Sequence, residues 1–231
     1  MYKVCAFSDG HGYLPEISEP FDILLIAGDN IPLGKQSIII ETLLWYTDNF
    51  VKWINKLPFK DKKSKVYIIA GNHEVAMSKL SVDELNELWD YISEKTKDRV
   101  IYLQNQLAIH DENIKIFGTP YCKVFGRWAY MARPETLKAY YSAIPEDTDI
   151  LLTHDAPYGT SDICFDHFYK EHLGNVPLKE AIEEKQPKYC IHGHLHTANH
   201  EVEKLGDTSV ICVSLLDEEY YPTFEPFYFE I

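Results

Sequence analysis

Five short polar clusters, each directly behind an apolar run, hold the side chains best able to do chemistry. They read Ser8-Asp9-Gly10-His11, Gly28-Asp29-Asn30, Gly71-Asn72-His73-Glu74, Thr153-His154-Asp155 and Gly193-His194-Leu195-His196. Carboxylates, a carboxamide and imidazoles stand at the ends of these runs, and no thiolate does. Hard oxygen and imidazole nitrogen suit a pair of first-row metal ions. A pair of such ions points to metal-assisted hydrolysis.

The elements that must position these groups are legible in outline. Apolar runs at residues 4–7, 23–27, 66–70, 150–152, 189–191 and 210–213 are short, rich in Ile, Val and Leu, and lack strict alternation. That pattern fits strands covered on both faces. Residues 36–57 repeat apolar side chains at helical spacing and stop at Pro58. Ser81, followed by Asp83 and Glu84, opens a second helix. Pro134 opens a third that should run to about Ala143, and a fourth begins near Pro177 and ends before Pro187. Alternating strands and helices imply an α/β fold with a largely parallel or mixed sheet. In such sheets ligands bind beyond the carboxyl ends of the strands, which is where every cluster falls. Two echoes, Asp22-Ile-Leu-Leu against Asp149-Ile-Leu-Leu and Ile26-Ala-Gly-Asp29 against Ile69-Ala-Gly-Asn72, hint at similar halves. No Gly/Ser linker divides the chain, so residues 1–231 read as a single domain.

Within the clusters, Asp9 and His11 are two apart, as are His194 and His196. If the strands persist through them, each pair points to one side and can bite a single ion. Glycines 10, 28, 71 and 193 fit sharp turns and close backbone approach. His110, His167, His172, His192 and His200 read as structural or surface residues.

Composition bounds the partners. The 231 residues carry 22 basic and 36 acidic side chains, a net charge of −14. A nucleic-acid polymer or anionic membrane is not an expected partner, since both attract a Lys/Arg surplus. Bound cations would still let an acidic protein handle a phosphate ester. Five scattered cysteines without a CxxC pair suggest reduced thiols. No signal peptide precedes residues 2–7 and no run reaches the ~18 apolar residues of a membrane span. A cytoplasmic protein is therefore expected.

The ordered set Asp9-x-His11, Gly28-Asp29, Gly71-Asn72-His73-Glu74, His154 and Gly193-His194-x-His196 resembles the motif of the calcineurin-like metallophosphoesterase superfamily. Gly118-Thr-Pro-Tyr, Trp128-Ala-Tyr, Ile144-Pro, residues 148–154 and Pro157-x-Gly159 narrow the likeness to its small metallophosphoesterase-domain-containing, phosphodiesterase-like branch. The resemblance implies a four-layer αββα sandwich, two mixed sheets flanked by helices. It implies that Asp9, His11 and His196 hold one metal, that Asn72, His154 and His194 hold a second, and that Asp29 bridges them. The cofactors would be two divalent or trivalent ions of manganese, iron or zinc. A hydroxide between them would attack phosphorus in line, His73 would protonate the leaving group, and Glu74 would orient His73. The substrate implied is a small phosphodiester, nucleotide or cyclic nucleotide included. A phosphomonoesterase, a phosphoprotein phosphatase and a non-catalytic metal-binding scaffold of the same fold are the alternatives. The metallo-β-lactamase pattern needs Asp-His two residues after the His-x-His pair, where this chain has Thr197 and Ala198.

Two departures and two loops complete the reading. Asp155 and Asn30 stand where relatives of this branch often carry other residues; Asp155 reads as a strand-end cap or a partner to a ligating histidine. The aromatic segment 117–133 offers Arg127 to grip phosphate and Trp128 to stack on a base, against a plain packing role. The loop 158–174, with Asp162, Asp166 and His167, is expected to flank the same mouth.

Overall fold

A computed structural model describes residues 1–166, 169–197 and 200–231. His167 and Ala198 lie outside the described residues. Strands β1 (Lys3–Phe7), β2 (Ile23–Ile26), β3 (Lys65–Ile68) and β4 (Val100–Tyr102) run parallel. Next come β5 (Gln106–His110), β6 (Ile114–Thr119), the short parallel pair β7 (Cys122–Lys123) and β8 (Met131–Ala132), and β9 (Ile150–Thr153). A hairpin of β10 (Ile163–Asp166) and β11 (Tyr169–His172) precedes β12 (Tyr189–His192), β13 (Glu203–Leu205), β14 (Thr208–Cys212) and β15 (Phe227–Glu230). They form a five-stranded sheet, β15-β1-β2-β3-β4, and a six-stranded sheet, β13-β14-β12-β9-β6-β5. Antiparallel β15, β13 and β5 make both sheets mixed.

The period-two alternation of the buried strands explains the layering. In β1, Val4 and Ala6 face one core, while Cys5 and Phe7 face another. Val4, Ala6, Ile23 and Leu25 of the first sheet meet Ile116, Ile150, Leu152, Ile191 and Ile211 of the second, so the sheets pack face to face. The outer face of the first sheet is covered by Trp45, Tyr46, Phe50, Leu88, Trp89 and Ile92. That of the second is covered by Leu137, Tyr141, Leu178 and Ile182. Those covering residues belong to the π-helical turn Trp45–Phe50, which joins α1 (Ile39–Leu44) to α2 (Val51–Ile54), and to α3 (Val82–Lys95), α4 (Pro134–Tyr141) and α5 (Val176–Lys185). Three cores between four layers make the αββα sandwich that the resemblance implied.

The helix over 36–57 is shorter than its spacing suggests. It starts at Ile39 and is α-helical only at its two ends. Gln36 is left in the preceding turn, free to aim its side chain inward. Ser81 forms a full capping box with Glu84.

The echo of Asp22 and Asp149 has a structural meaning. Asp22 exchanges backbone bonds with Lys3 and Lys65, and its Oδ2 accepts the Lys3 N–H at 2.8 Å. Asp149 does the same with Lys115 and Tyr189, its Oδ2 accepting the Lys115 N–H at 2.8 Å. Each aspartate pins the start of a strand that lies between two parallel neighbours. The two sheets are stitched at the other end, where Ser8 bridges Ser214 and donates its N–H to Val213.

Candidate metal centre

All of the clusters converge at that stitched edge. Asp9 and His11 follow β1, Asp29 follows β2, Asn72 and His73 follow β3, His154 follows β9, and His194 and His196 follow β12. The strands do not persist through the paired residues, as the Asp-x-His reading assumed. Asp9, His11, Asp29 and His194 take φ of 54°, 43°, 53° and 70°, left-handed backbone that non-glycine residues rarely adopt. Each such residue costs on the order of 1–3 kcal/mol, so these turns are held by their surroundings. Side chains here meet through turns, and not by strand alternation.

The two carboxylates are oriented alike. Asp9 Oδ2 accepts the His194 N–H and the Ser214 hydroxyl, both at 2.8 Å. Asp29 Oδ1 accepts the His73 N–H at 2.7 Å. The other oxygen of each faces imidazoles. Asp29 Oδ2 has Nε2 of His154 at 3.4 Å, of His73 at 3.9 Å and of His11 at 4.0 Å. Asp9 Oδ1 has Nε2 of His196 at 3.5 Å and of His11 at 4.0 Å, and it is buried without a hydrogen-bond partner. Glycine is required beside both. A Cβ on Gly71 would strike Asp29 Oδ1 and His154, and one on Gly193 would strike Ser8 Oγ and Asp9 Oδ2.

Tautomers sharpen the argument. His154 Nδ1 lies 2.8 Å from the Ala27 carbonyl and His196 Nδ1 lies 2.9 Å from the Asp217 carbonyl. A carbonyl only accepts, so Nδ1 carries the proton in both rings. In the neutral ring, Nε2 of His154 is then bare and points at Asn72 Oδ1, 2.9 Å away, and at Asp29. That of His196 points at Asp9, with His11 Nε2 at 3.3 Å. Lone pair facing lone pair is repulsive unless a positive charge sits between them. Ligand bonds of about 2.1 Å put adjacent donors roughly 3.0–3.4 Å apart in octahedral or tetrahedral geometry, close to the shorter spacings seen. The residues fit metal ions.

Protons are the only substitute the chain has for those cations. Burial opposes charge on His154 and His196, yet Asp29 and Asp9 outweigh it and carry them up to about 10 and about 9. Burial prevails at His11 and His194, taking them down to about 4 and about 3. Burial alone would raise the Asp9 and Asp29 carboxyls; the imidazoles around them hold both below the ordinary carboxylate range.

Three groups of ligand atoms lie close enough to hold an ion: Asp9 with His11 and His196, His11 with Asp29 and His73, and Asp9 with Asp29 and His154. Asn72 joins through its contact with His154. His194 stands at the rim, its ring centroid 5.1 Å from that of His154. His73 is as near Asp29 as His11 is, so spacing alone does not set it apart from the expected ligands.

The expected contact of Glu74 with the His73 ring is corrected. The Glu74 carboxylate is fully buried and accepts from the N–H groups of Asp29, Asn30, Ile31 and Gly71 and from the Tyr46 hydroxyl. It staples the two loops carrying Asp29 and Asn72. The ring is oriented by Gln36, whose Oε1 lies 2.5 Å from His73 Nδ1. Trp128 packs on the other side, ring centroids 4.4 Å apart. Arg127 beside it is exposed and makes no hydrogen bond or ion pair among the described residues. Asp155 is structural: it binds the Lys123 N–H and the Asn175 amide at 2.9 and 3.0 Å. Asp162 pairs with His172 at 2.6 Å within the 158–174 segment. His110 lies against Tyr67, and His200 against the Ser214 carbonyl.

Sequence reading missed three contributors. Gln36 looked like a helical residue. Ser214 lies after β14, far from any motif. Tyr220, at φ 62°, sets its ring 4.9 Å from His11 and 5.1 Å from His196. No local signal marks them; only the fold brings them here.

A sandwich of two sheets with a nitrogen-and-oxygen cage at their common carboxyl edge has the build of a metal-dependent hydrolase. A model of the Calcineurin-like phosphoesterase family matches residues 2–198, and the chain belongs to that family. It is 32% identical over 218 residues to a UPF0046 protein of Caenorhabditis elegans, covering 90% of this chain and 68% of that one. It is 28% identical over 240 residues to human Metallophosphoesterase domain-containing protein 1, covering 96% and 68%. This chain thus spans about two thirds of either relative. One crystal structure matches at a TM-score of 0.65 with 14% identity, over 91% of this chain and 90% of its own. A phosphopantetheinyl hydrolase from Mycobacterium tuberculosis matches at 0.51 with 14% identity, over 94% and 90%. At such identities the structural likeness is one of fold.

Proposed function

We propose that this protein hydrolyses a small phosphodiester, a nucleotide or cyclic nucleotide being of suitable chemistry, at a dinuclear metal site. The observation that carries the reading is Asp29 Oδ2, ringed by Nε2 of His154, His73 and His11 within 4.0 Å. Asp9, His11 and His196 would hold one ion and Asn72, His154 and His194 the other, with Asp29 between the two sets. Manganese, iron or zinc bound there supplies Lewis acidity to the phosphoryl oxygen and to the attacking water.

The chain's own residues do the rest. His73 presents Nε2 to the reacting region while Nδ1–H is engaged by Gln36. The proton for the departing oxygen therefore comes from the imidazolium, at Nε2. Trp128 covers one face of that ring and keeps water from it, and Arg127, its exposed neighbour in sequence, would offer a cation to the phosphate. Aromatic rings flank the mouth, Trp128 on His73, Tyr220 on His11 and Phe125 on His194. A rim of that kind suits a singly charged diester with two organic arms better than a dianionic monoester. A net charge of −14 favours a small ester over a nucleic-acid polymer.

Five unpaired thiols support a reducing, cytoplasmic setting, and among the described residues no helix is long and apolar enough to cross a membrane. Cores shared across both sheets support one domain over residues 1–231. The test is turnover of bis(4-nitrophenyl) phosphate and 4-nitrophenyl phosphate by protein reconstituted with manganese, zinc or iron. The diester should have the higher kcat/KM. A monoester preference would move the reading to a phosphatase, and inertness to both esters to a scaffold.

A further inference from the structure

A cavity of about 360 Å³ shares Trp128 with the mouth of the metal centre. Its walls come from three distant stretches: Met77, Leu80 and Leu85 after β3, Gln104 after β4, and Tyr121 to Met131. No Asp, Glu, Lys, Arg or His lines it among the described residues, in a chain where 25% of residues are charged. Backbone bonds fix this wall to the reacting region. The Ala129 N–H donates to the carbonyl of Asn72 at 3.0 Å, and the Cys122 N–H to that of Tyr130 at 2.9 Å. Tyr130, a wall residue, is held at φ 51°, strain of the kind that persists at functional sites where the surroundings over-determine it.

We infer that this cavity binds the uncharged, ring-bearing alcohol arm of the ester, with His73 standing between that arm and phosphorus. The inference rests on the phosphodiesterase reading above. A flat ring gains stacking on Trp128 and contact with Leu80 and Met131. An ionised group would lose its hydration with no counter-charge to meet it. The volume lies at the lower end of the roughly 300–1,000 Å³ range of small-molecule sites, enough for one fused ring system and too small for a folded protein segment. Specificity for the arm therefore resides in the 77–85 and 121–131 stretches, which supply none of the metal ligands.

The test uses 2-naphthyl methyl phosphate and its 6-sulfonated counterpart, whose leaving groups are of similar basicity, with the manganese-loaded chain and naphtholate fluorescence as readout. The neutral ester should be favoured roughly tenfold or more in kcat/KM, within the range a desolvated pocket can enforce. Leu80→Trp, which fills the cavity, should raise KM for the neutral ester, and Gln104→Lys should shrink or invert the preference. Equal turnover of both esters, unmoved by either substitution, overturns the inference and leaves the phosphoesterase reading standing. No turnover of any ester overturns that reading instead. In that event binding of 2-naphthol to the metal-free protein, weakened by Leu80→Trp, still supports the cavity's chemistry, and absence of binding overturns it.

Discussion

Gln36 Oε1 lies 2.5 Å from His73 Nδ1 across 37 positions of sequence, and this contact fixes which nitrogen faces the reaction. Burial lowers the His73 pKa, with Asp29 opposing. As a general acid, His73 loses activity when pH rises above its pKa. Gln36→Glu adds a negative partner, favours the imidazolium and should move the alkaline limb of kcat to higher pH. Gln36→Leu should lower kcat by roughly 10–100-fold, part of the 10²–10⁴ expected of a general acid, with metal content intact. His73→Ala should likewise spare the metals, whereas Asp29→Asn should lose metal and rate together. pH–rate profiles beside metal analysis decide these outcomes.

Glu74 is bound by five donors while itself fully buried. Glu74→Gln keeps the size but turns an NH2 towards backbone N–H groups. Leaving buried donors unmatched costs about 1–3 kcal/mol, which for a chain of this length lowers Tm by roughly 2–12 °C. The Tm of metal-free protein measures it. An unchanged Tm would mean that the carboxylate does not staple the two loops.

Asp217 organises the rim on the His11 side. Its Oδ1 accepts the N–H groups of Glu219 and Tyr221, its Oδ2 accepts the Thr223 hydroxyl, and its carbonyl receives His196 Nδ1–H. Asp217→Ala should free Tyr220 and loosen His196. The carbonyl that orients His196 survives this substitution and only its loop loosens, so metal affinity should fall by roughly tenfold or less, at or below the low end of the 10–100-fold that outright loss of an orienting partner costs. Titration should therefore find one ion weakened and the other spared; equal weakening of both would contradict the allocation of His196.

Loading the metals should release protons. With His154 and His196 carried up to about 10 and about 9, both are charged at neutral pH when no metal is bound, and a ligating Nε2 must be bare. About two protons should leave per protein as metals enter near pH 7, and affinity should fall as pH falls. Calorimetry in buffers of different ionisation enthalpy counts them. Metal uptake without proton release would contradict charged His154 and His196 rings in the metal-free site.

What the sequence disclosed was set by range. Buried parallel strands announce themselves by composition, so residues 4–7, 23–27 and 150–152 fall within or beside β1, β2 and β9. The site lies just beyond such strands, and its clusters were visible for that reason. Glu74 misled because adjacency to His73 suggested a contact; the side chain points instead to loops 43–45 residues away in sequence. Asp9 and His11 reach one point through left-handed turns, and nothing in the spacing distinguishes a turn from a strand. Gln36, Ser214 and Tyr220 carry no motif, because a single long-range contact leaves no periodic trace. The π-helical turn that places the Tyr46 hydroxyl 2.9 Å from Glu74 is equally silent in sequence.

Anomalous diffraction from crystals of the manganese-loaded protein tests the caged pair of cations most directly. Two peaks separated by ~3.5–4 Å, as in two-metal sites, should lie on either side of Asp29 Oδ2, one against Asp9, His11 and His196 and the other against Asn72, His154 and His194. A single peak, or peaks remote from Asp29, would contradict the account.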